Sequence, residues 1–142
     1  MKKLIPVFVM LFISLVLFAC SPAPKPVSVE VPCDEFYESR HISRDADIPV
    51  GAALQVILCS NPSTGFQWEE ARISDPAVLE ELSHEFVSPE SKPPPPPGTP
   101  GQDVWTFKAL KAGESTISVD YSRPWEGGEK GEWTFVLNVV VQ

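Results

Sequence analysis

From residue 27 onward, apolar and polar positions alternate with the period of half-buried β-strands. In Thr116-Ile117-Ser118-Val119-Asp120-Tyr121 the residues Ile117, Val119 and Tyr121 face one way, and Thr116, Ser118 and Asp120 the other. Trp133, Phe135, Leu137, Val139 and Val141 line one face of a final long strand. Leu54, Val56 and Leu58 do the same earlier, as do Trp105, Phe107 and Ala109, and the pair Phe66 and Trp68. Lys111-Ala112-Gly113-Glu114 reads as a tight turn between two strands, with Gly113 free to take positive φ. Asp75-Pro76 is suited to start a helical turn. Leu82, His84 and Phe86 then return to period two, so this stretch reads as a strand with an irregular start. The sum is about seven or eight short strands separated by regular turns, which predicts an all-β antiparallel sandwich or barrel.

The N-terminal segment has a different character. Lys2 and Lys3 precede an almost unbroken apolar run over residues 4–18, shorter than the roughly 20 residues a membrane-spanning helix needs. It reads as a secretory signal peptide, residues 1–19. Leu17-Phe18-Ala19-Cys20 resembles a bacterial lipobox, which implies lipid on Cys20; simple secretion and an uncleaved anchor are the alternatives. In Ser21-Pro22-Ala23-Pro24-Lys25-Pro26 alternate prolines favour an extended polyproline shape of roughly 3 Å per residue, a tether that would hold the domain some 20 Å from a membrane. The expected division is therefore a signal over 1–19, a lipidated cysteine and tether over 20–32, and one domain over 33–142. The expected location is the cell envelope, facing the periplasm or the exterior.

Charge narrows the partners. Without residues 1–19 the chain carries 9 basic and 19 acidic residues, a formal charge of −10. Such a balance opposes nucleic acid, whose phosphates require lysine and arginine, and it opposes a polybasic membrane surface. With Cys20 under lipid, Cys33 and Cys59 remain in an oxidising compartment, where a disulfide is the default and two separate buried thiols the alternative. No spacing of cysteine and histidine suggests a metal site, and no cofactor is expected.

Three short segments between predicted strands are rich in Pro and Gly and poor in ionisable groups. Asn61-Pro62-Ser63-Thr64-Gly65-Phe66 combines a fixed φ at Pro62, a flexible Gly65 and two small hydroxyls. It serves equally as a plain strand connection or as a narrow, rigid loop able to enter a cleft at low entropic cost. The second segment, Gly98-Thr99-Pro100-Gly101, follows a stiff run from Pro93 to Pro97 that reads as a spacer or edge loop. The third holds Arg123-Pro124-Trp125 ahead of Glu126-Gly127-Gly128. Trp and Arg are enriched at binding hot spots, although Trp125 folded back as a lid on the sandwich is the competing reading.

In order and spacing these segments resemble the three binding loops of chagasin-type inhibitors of papain-like cysteine peptidases. The family carries an Asn-Pro-Thr-Thr-Gly-Tyr/Phe loop, a glycine-rich loop and an Arg-Pro-Trp loop at one end of an immunoglobulin-like fold. Here Ser63 stands where Thr is usual, the third motif is intact, and the usual Gly-x-Gly-Gly is replaced by Gly98-Thr99-Pro100-Gly101. The likeness runs through most of residues 54–141. It implies a monomeric, reversible, tight-binding inhibitor whose loops occupy the peptidase cleft, with Thr64 across the catalytic Cys/His pair and Trp125 on the primed side.

Two other classes compete. An enzyme using Ser63 or Thr64 as nucleophile needs a base within reach, and the histidines are only His41, in a polar segment, and His84, on a strand. The neighbouring carboxylates Glu69-Glu70 and Glu80-Glu81 point to opposite faces of a strand, the wrong arrangement for paired-carboxylate chemistry. A membrane-anchored immunoglobulin-like module with a non-peptidase partner is the remaining alternative.

Overall fold

The computed structural model describes residues 24–91 and 93–142; the expected signal peptide and the lipidation residue Cys20 lie outside them. In chain order the elements are β1 (Val27–Val31), helix α1 (Cys33–Glu38), β2 (His41–Ile48), β3 (Ala53–Ser60), a 3₁₀ turn (Pro62–Thr64), β4 (Gln67–Trp68), β5 (Arg72–Ile73), β6 (Leu79–Val87), β7 (Gly101–Ala109), β8 (Gly113–Ser122) and β9 (Trp133–Val141). These nine strands form two sheets, ordered β1-β3-β7-β6 and β2-β9-β8-β4, with β5 also pairing β8.

The fold is all-β and immunoglobulin-like, with some departures from expectation. Val27–Val31, assigned to the tether by the sequence, is a strand that pairs with β3 along its whole length. β1 lies parallel to β3 and β2 parallel to β9, whereas the other ladders are antiparallel. The parallel pairs arise because the chain crosses from one sheet to the other between β1, β2 and β3. Strands joined by a crossover rather than a tight hairpin are free to run in the same direction. Strand β4, signalled by the pair Phe66 and Trp68, spans two residues, as does β5, which is additional and too short to register as a periodic pattern.

Alternation holds where it was clearest. On β7 and β8 every second residue is buried, and Trp105, Phe107, Ile117, Val119, Phe135 and Leu137 are fully enclosed between the sheets. Burying each such side chain stabilises the fold by about 1.5–3 kcal/mol. Helix α1 carries Phe36 into the core, where its ring meets Trp68, Tyr121 and Trp133. A disulfide joins Cys33, at the start of α1, to Cys59 near the end of β3.

Strand β6 departs from its predicted pattern. Beyond Leu79 all its residues are solvent-accessible, including Leu82 and Phe86. A register shift between Glu81 and Ser83 puts Leu82 in a bulge. The strand is an edge of its sheet, and Phe86 near its end stays exposed. Glu80, Glu81 and Glu85 place charge along this edge, which discourages pairing with another chain.

Candidate functional site

Ladder register collects the three motifs at one end of the sandwich. Ser60, which precedes the first motif, pairs with Gly101, which closes the second. Gln67, just after the first motif, pairs with Ser122, just before the third. The loops over residues 61–66, 88–100 and 123–132 therefore emerge side by side.

The first loop is organised by its own polar atoms. The Asn61 carbonyl accepts from the backbone N–H and from Oγ1 of Thr64, at 3.1 and 2.7 Å. Asn61 Oδ1 accepts from Ser63 Oγ at 2.6 Å. The Gly65 N–H donates to the Pro62 carbonyl and closes a single 3₁₀ turn. Both hydroxyls thus spend their protons within the loop, and neither donates to a histidine or carboxylate. This is a pre-organised surface rather than a nucleophile. Pro62, Ser63 and Thr64 are exposed, Asn61 and Gly65 half-buried.

Phe66 is not on the surface. Its ring is buried against Tyr121 and Trp133, so it anchors the loop instead of presenting a contact. Tyr121 is the support that the motifs did not reveal. Its Oη accepts the Asn61 N–H at 2.9 Å, and burial first raises the phenol above its ordinary value, partly offset by that N–H. Strand alternation had already explained Tyr121 as a core residue, so nothing marked its hydroxyl.

Side chains tie the loops to one another. Asn61 Nδ2 donates to the Gly98 carbonyl at 3.0 Å, joining the first loop to the second. Within the second, Thr99 bonds back to the Pro96 carbonyl through both N–H and Oγ1, making a compact turn. Gly98 and Thr99 are exposed and Pro100 half-buried. Gly101, expected in the loop, is instead the buried first residue of β7. A side chain there would lie 2.4 Å from the Val87 carbonyl oxygen and 2.7 Å from the Phe86 ring, so only glycine fits this close approach.

Arg123 joins the first loop to the third. Its Nη2 donates to the Thr64 carbonyl at 3.3 Å, and its guanidinium lies 4.5 Å from the Phe66 ring centroid. Nη1 holds both Glu129 oxygens, at 3.0 and 2.8 Å. The Glu129 carboxyl sits below its ordinary value because its own backbone N–H and then Arg123 favour the charged form. Lys130 Nζ bonds the Arg123 and Trp125 carbonyls, and Ser122 Oγ accepts the Gly131 N–H at 2.7 Å. Pro124 and Trp125 project from this frame, and Trp125 is 51% exposed. Glu129, Lys130 and Ser122 carried no motif signal.

The fold has known counterparts. Residues 47–139 match the family described as Chagasin family peptidase inhibitor I42. Amoebiasin-2 of Entamoeba histolytica is 30% identical over 116 residues, covering 78% of this chain and 92% of that protein. Among solved structures, the cysteine protease inhibitor EhICP2 from Entamoeba histolytica superposes with a TM-score of 0.64 at 23% identity, over 86% of this chain and 100% of that one. PbICP-C, solved in complex with falcipain-2, superposes with a TM-score of 0.52 at 18% identity, over 82% of this chain and 99% of that one.

Proposed function

The chain belongs to the chagasin family of peptidase inhibitors, a family of inhibitors and not of enzymes, and from that premise we propose that it is a reversible, tight-binding inhibitor of papain-like cysteine peptidases. The observation that carries the reading is the bracing of three exposed loop tips into one edge. Asn61 holds the second loop through Gly98, and Arg123 holds the first through Thr64. An edge ordered before binding loses little conformational entropy on entering a cleft.

In this reading Pro62, Ser63 and Thr64 lie across the catalytic Cys/His pair and exclude substrate. The 3₁₀ turn keeps the loop carbonyls bonded inward, the Asn61 and Pro62 oxygens to N–H groups and the Thr64 oxygen to Arg123, so the attacking thiolate lacks an extended peptide to cleave. Pro124 and Trp125 dock on the primed side, where a large exposed indole suits ring stacking. Gly98, Thr99 and Pro100 flank the opposite side. Lipid on Cys20 and the proline-rich segment after it would hold this edge clear of a membrane at the cell envelope.

The test is a titration of the purified, oxidised chain against active papain with a fluorogenic peptide substrate. Competitive, reversible inhibition with the chain left uncut supports the proposal. A folded chain that leaves papain fully active at micromolar concentration sinks the broad inhibitor reading and favours an immunoglobulin-like module with another partner.

A further inference from the structure

The exposed end of β6 opens a second feature beside the loop edge. A cleft of about 290 Å³ runs between β6 and the first and third loops. The exposed Phe86 and Trp125 and the largely buried Phe66 and Trp68 line it, together with His84 and the Asp103 carboxylate. The Asp103 side chain is only 10% exposed. Its Oδ1 accepts from His84 Nε2 at 2.6 Å, and the His84 ring is stacked on Trp105, with centroids 4.1 Å apart. Among the described residues no side chain donates to Asp103 Oδ2, and none brings a lysine or arginine into contact with this carboxylate.

We infer that this cleft accepts a cationic side chain, a lysine or arginine of the bound peptidase, with Asp103 as counter-charge and the aromatic rings as walls. This rests on the inhibitor reading, because Pro62, Gly65 and Trp125 form both the loop edge and the rim of the cleft.

A carboxylate withdrawn from water gains most from a cation that replaces its lost hydration. Aromatic faces attract the same cation through their quadrupoles and shelter its aliphatic stem. An apolar side chain would satisfy the rings but add no donor to the carboxylate beyond His84, and an anion would be repelled by it. Arg123, 5.8 Å from the Trp125 ring centroid, does not fill this role because Glu129 already holds it. The strongly acidic chain adds a long-range field of the same sign as Asp103.

The test follows the indole N–H signals of Trp68 and Trp125 by NMR in the purified full chain during titration with N-acetyl-arginine amide, N-acetyl-lysine amide or N-acetyl-norleucine amide. The two cations are expected to give saturable shifts, with norleucine amide weaker by about tenfold or more. Asp103→Asn should weaken the cations by about tenfold and leave norleucine amide unchanged, while Phe86→Leu should weaken them about threefold. Equal response to norleucine amide, or no saturable shift with any of the three, overturns the inference. Should Asp103→Asn fail to fold, the comparison of the three amides on the wild-type chain still decides.

A second arm measures papain inhibition over a range of salt concentrations. Weaker inhibition by Asp103→Asn, with a shallower salt dependence, supports a peptidase cation in the cleft, and an unchanged inhibition constant and salt slope overturn it. If the wild-type chain fails to inhibit papain, the inhibitor reading falls, yet the amide titration still reports the chemistry of the cleft.

Discussion

The ring of Trp125 occupies the space that a side chain on Gly65 would need. An added Cβ at Gly65 would lie 2.6 Å from Trp125 Cη2 and 3.3 Å from Cζ3. The first and third loops are thus interlocked by the absence of an atom, and Gly65 also has φ +82°, a left-handed conformation that other residues adopt at a cost of about 1–2 kcal/mol. Gly65→Ala should therefore displace Trp125 and lower inhibition of papain by about tenfold or more, with a stability loss of about 1–2 kcal/mol. Thermal unfolding and inhibition constants on the same preparation check this. Unchanged inhibition would show that Trp125 tolerates the displacement.

Trp125 rests on Gly65 yet remains half-exposed, so its removal separates binding from folding. Trp125→Ala is expected to leave the unfolding midpoint within a few degrees of the wild type. Inhibition should weaken by about 30-fold or more, in the range of a hot-spot truncation. A large stability loss instead would identify Trp125 as a lid on the sandwich.

Strands that carry three or more alternating apolar positions were legible from the sequence, as in β8 and β9, because burial on one face imposes a period of two. The two-residue β5 has no room for that period, and β4 was legible only through the pair Phe66 and Trp68. Helix α1 is a single short element whose one buried side chain, Phe36, sets no periodicity. On β6 the pattern misled, because Leu82 falls in a bulge and Phe86, on the edge strand of its sheet, stays exposed. Each loop motif was legible as a motif, whereas the groups that brace them were not. Tyr121 and Ser122 belong to a strand, and Glu129 and Lys130 to a polar turn; their roles depend on which residues the fold brings alongside.

The Arg123–Glu129 pair gives the third loop an acid limit. A carboxyl held below its ordinary value of 4.5 contributes stability that is present above that value and lost as pH falls through the folded one. Order in the loop should therefore be constant from neutrality down to about pH 5 and decline below it. The Trp125 indole N–H signal of the free chain follows this transition. Glu129→Gln should abolish the acid transition and leave the loop less ordered at every pH. A wild-type signal that ignores acid would remove Glu129 from the frame.

The disulfide constrains α1 and the start of the first loop together, since Cys59 precedes Asn61 by two residues. Its 26-residue separation corresponds to roughly 3–4 kcal/mol in the chain-entropy model. Cys33→Ser combined with Cys59→Ser should lower stability by about that amount. Inhibition measured at low temperature, where the variant is still folded, should fall less than tenfold, because Tyr121 continues to hold Asn61. A loss as large as that of Trp125→Ala would assign the disulfide a direct part in shaping the loop.

Tyr121 supplies the last prediction, because its ring and its hydroxyl do separate things. The ring fills the core between Phe36, Phe66 and Trp68, and phenylalanine preserves that packing. The hydroxyl accepts the Asn61 N–H, so Tyr121→Phe leaves a half-buried donor unpaired, at about 1–3 kcal/mol. The loss should fall on the first loop and appear as faster hydrogen exchange at Asn61 and weaker papain inhibition. Alkali tests the burial of the same hydroxyl, which raises the phenol although the Asn61 N–H partly offsets it. A phenol raised above its ordinary value of 10.0 stabilises the fold fully below that value and loses its contribution as pH rises through the folded one. The wild type should therefore weaken above about pH 10, and Tyr121→Phe should lack that component of the alkaline loss. Identical exchange at Asn61 in both proteins would show that the loop holds its turn without the tyrosine.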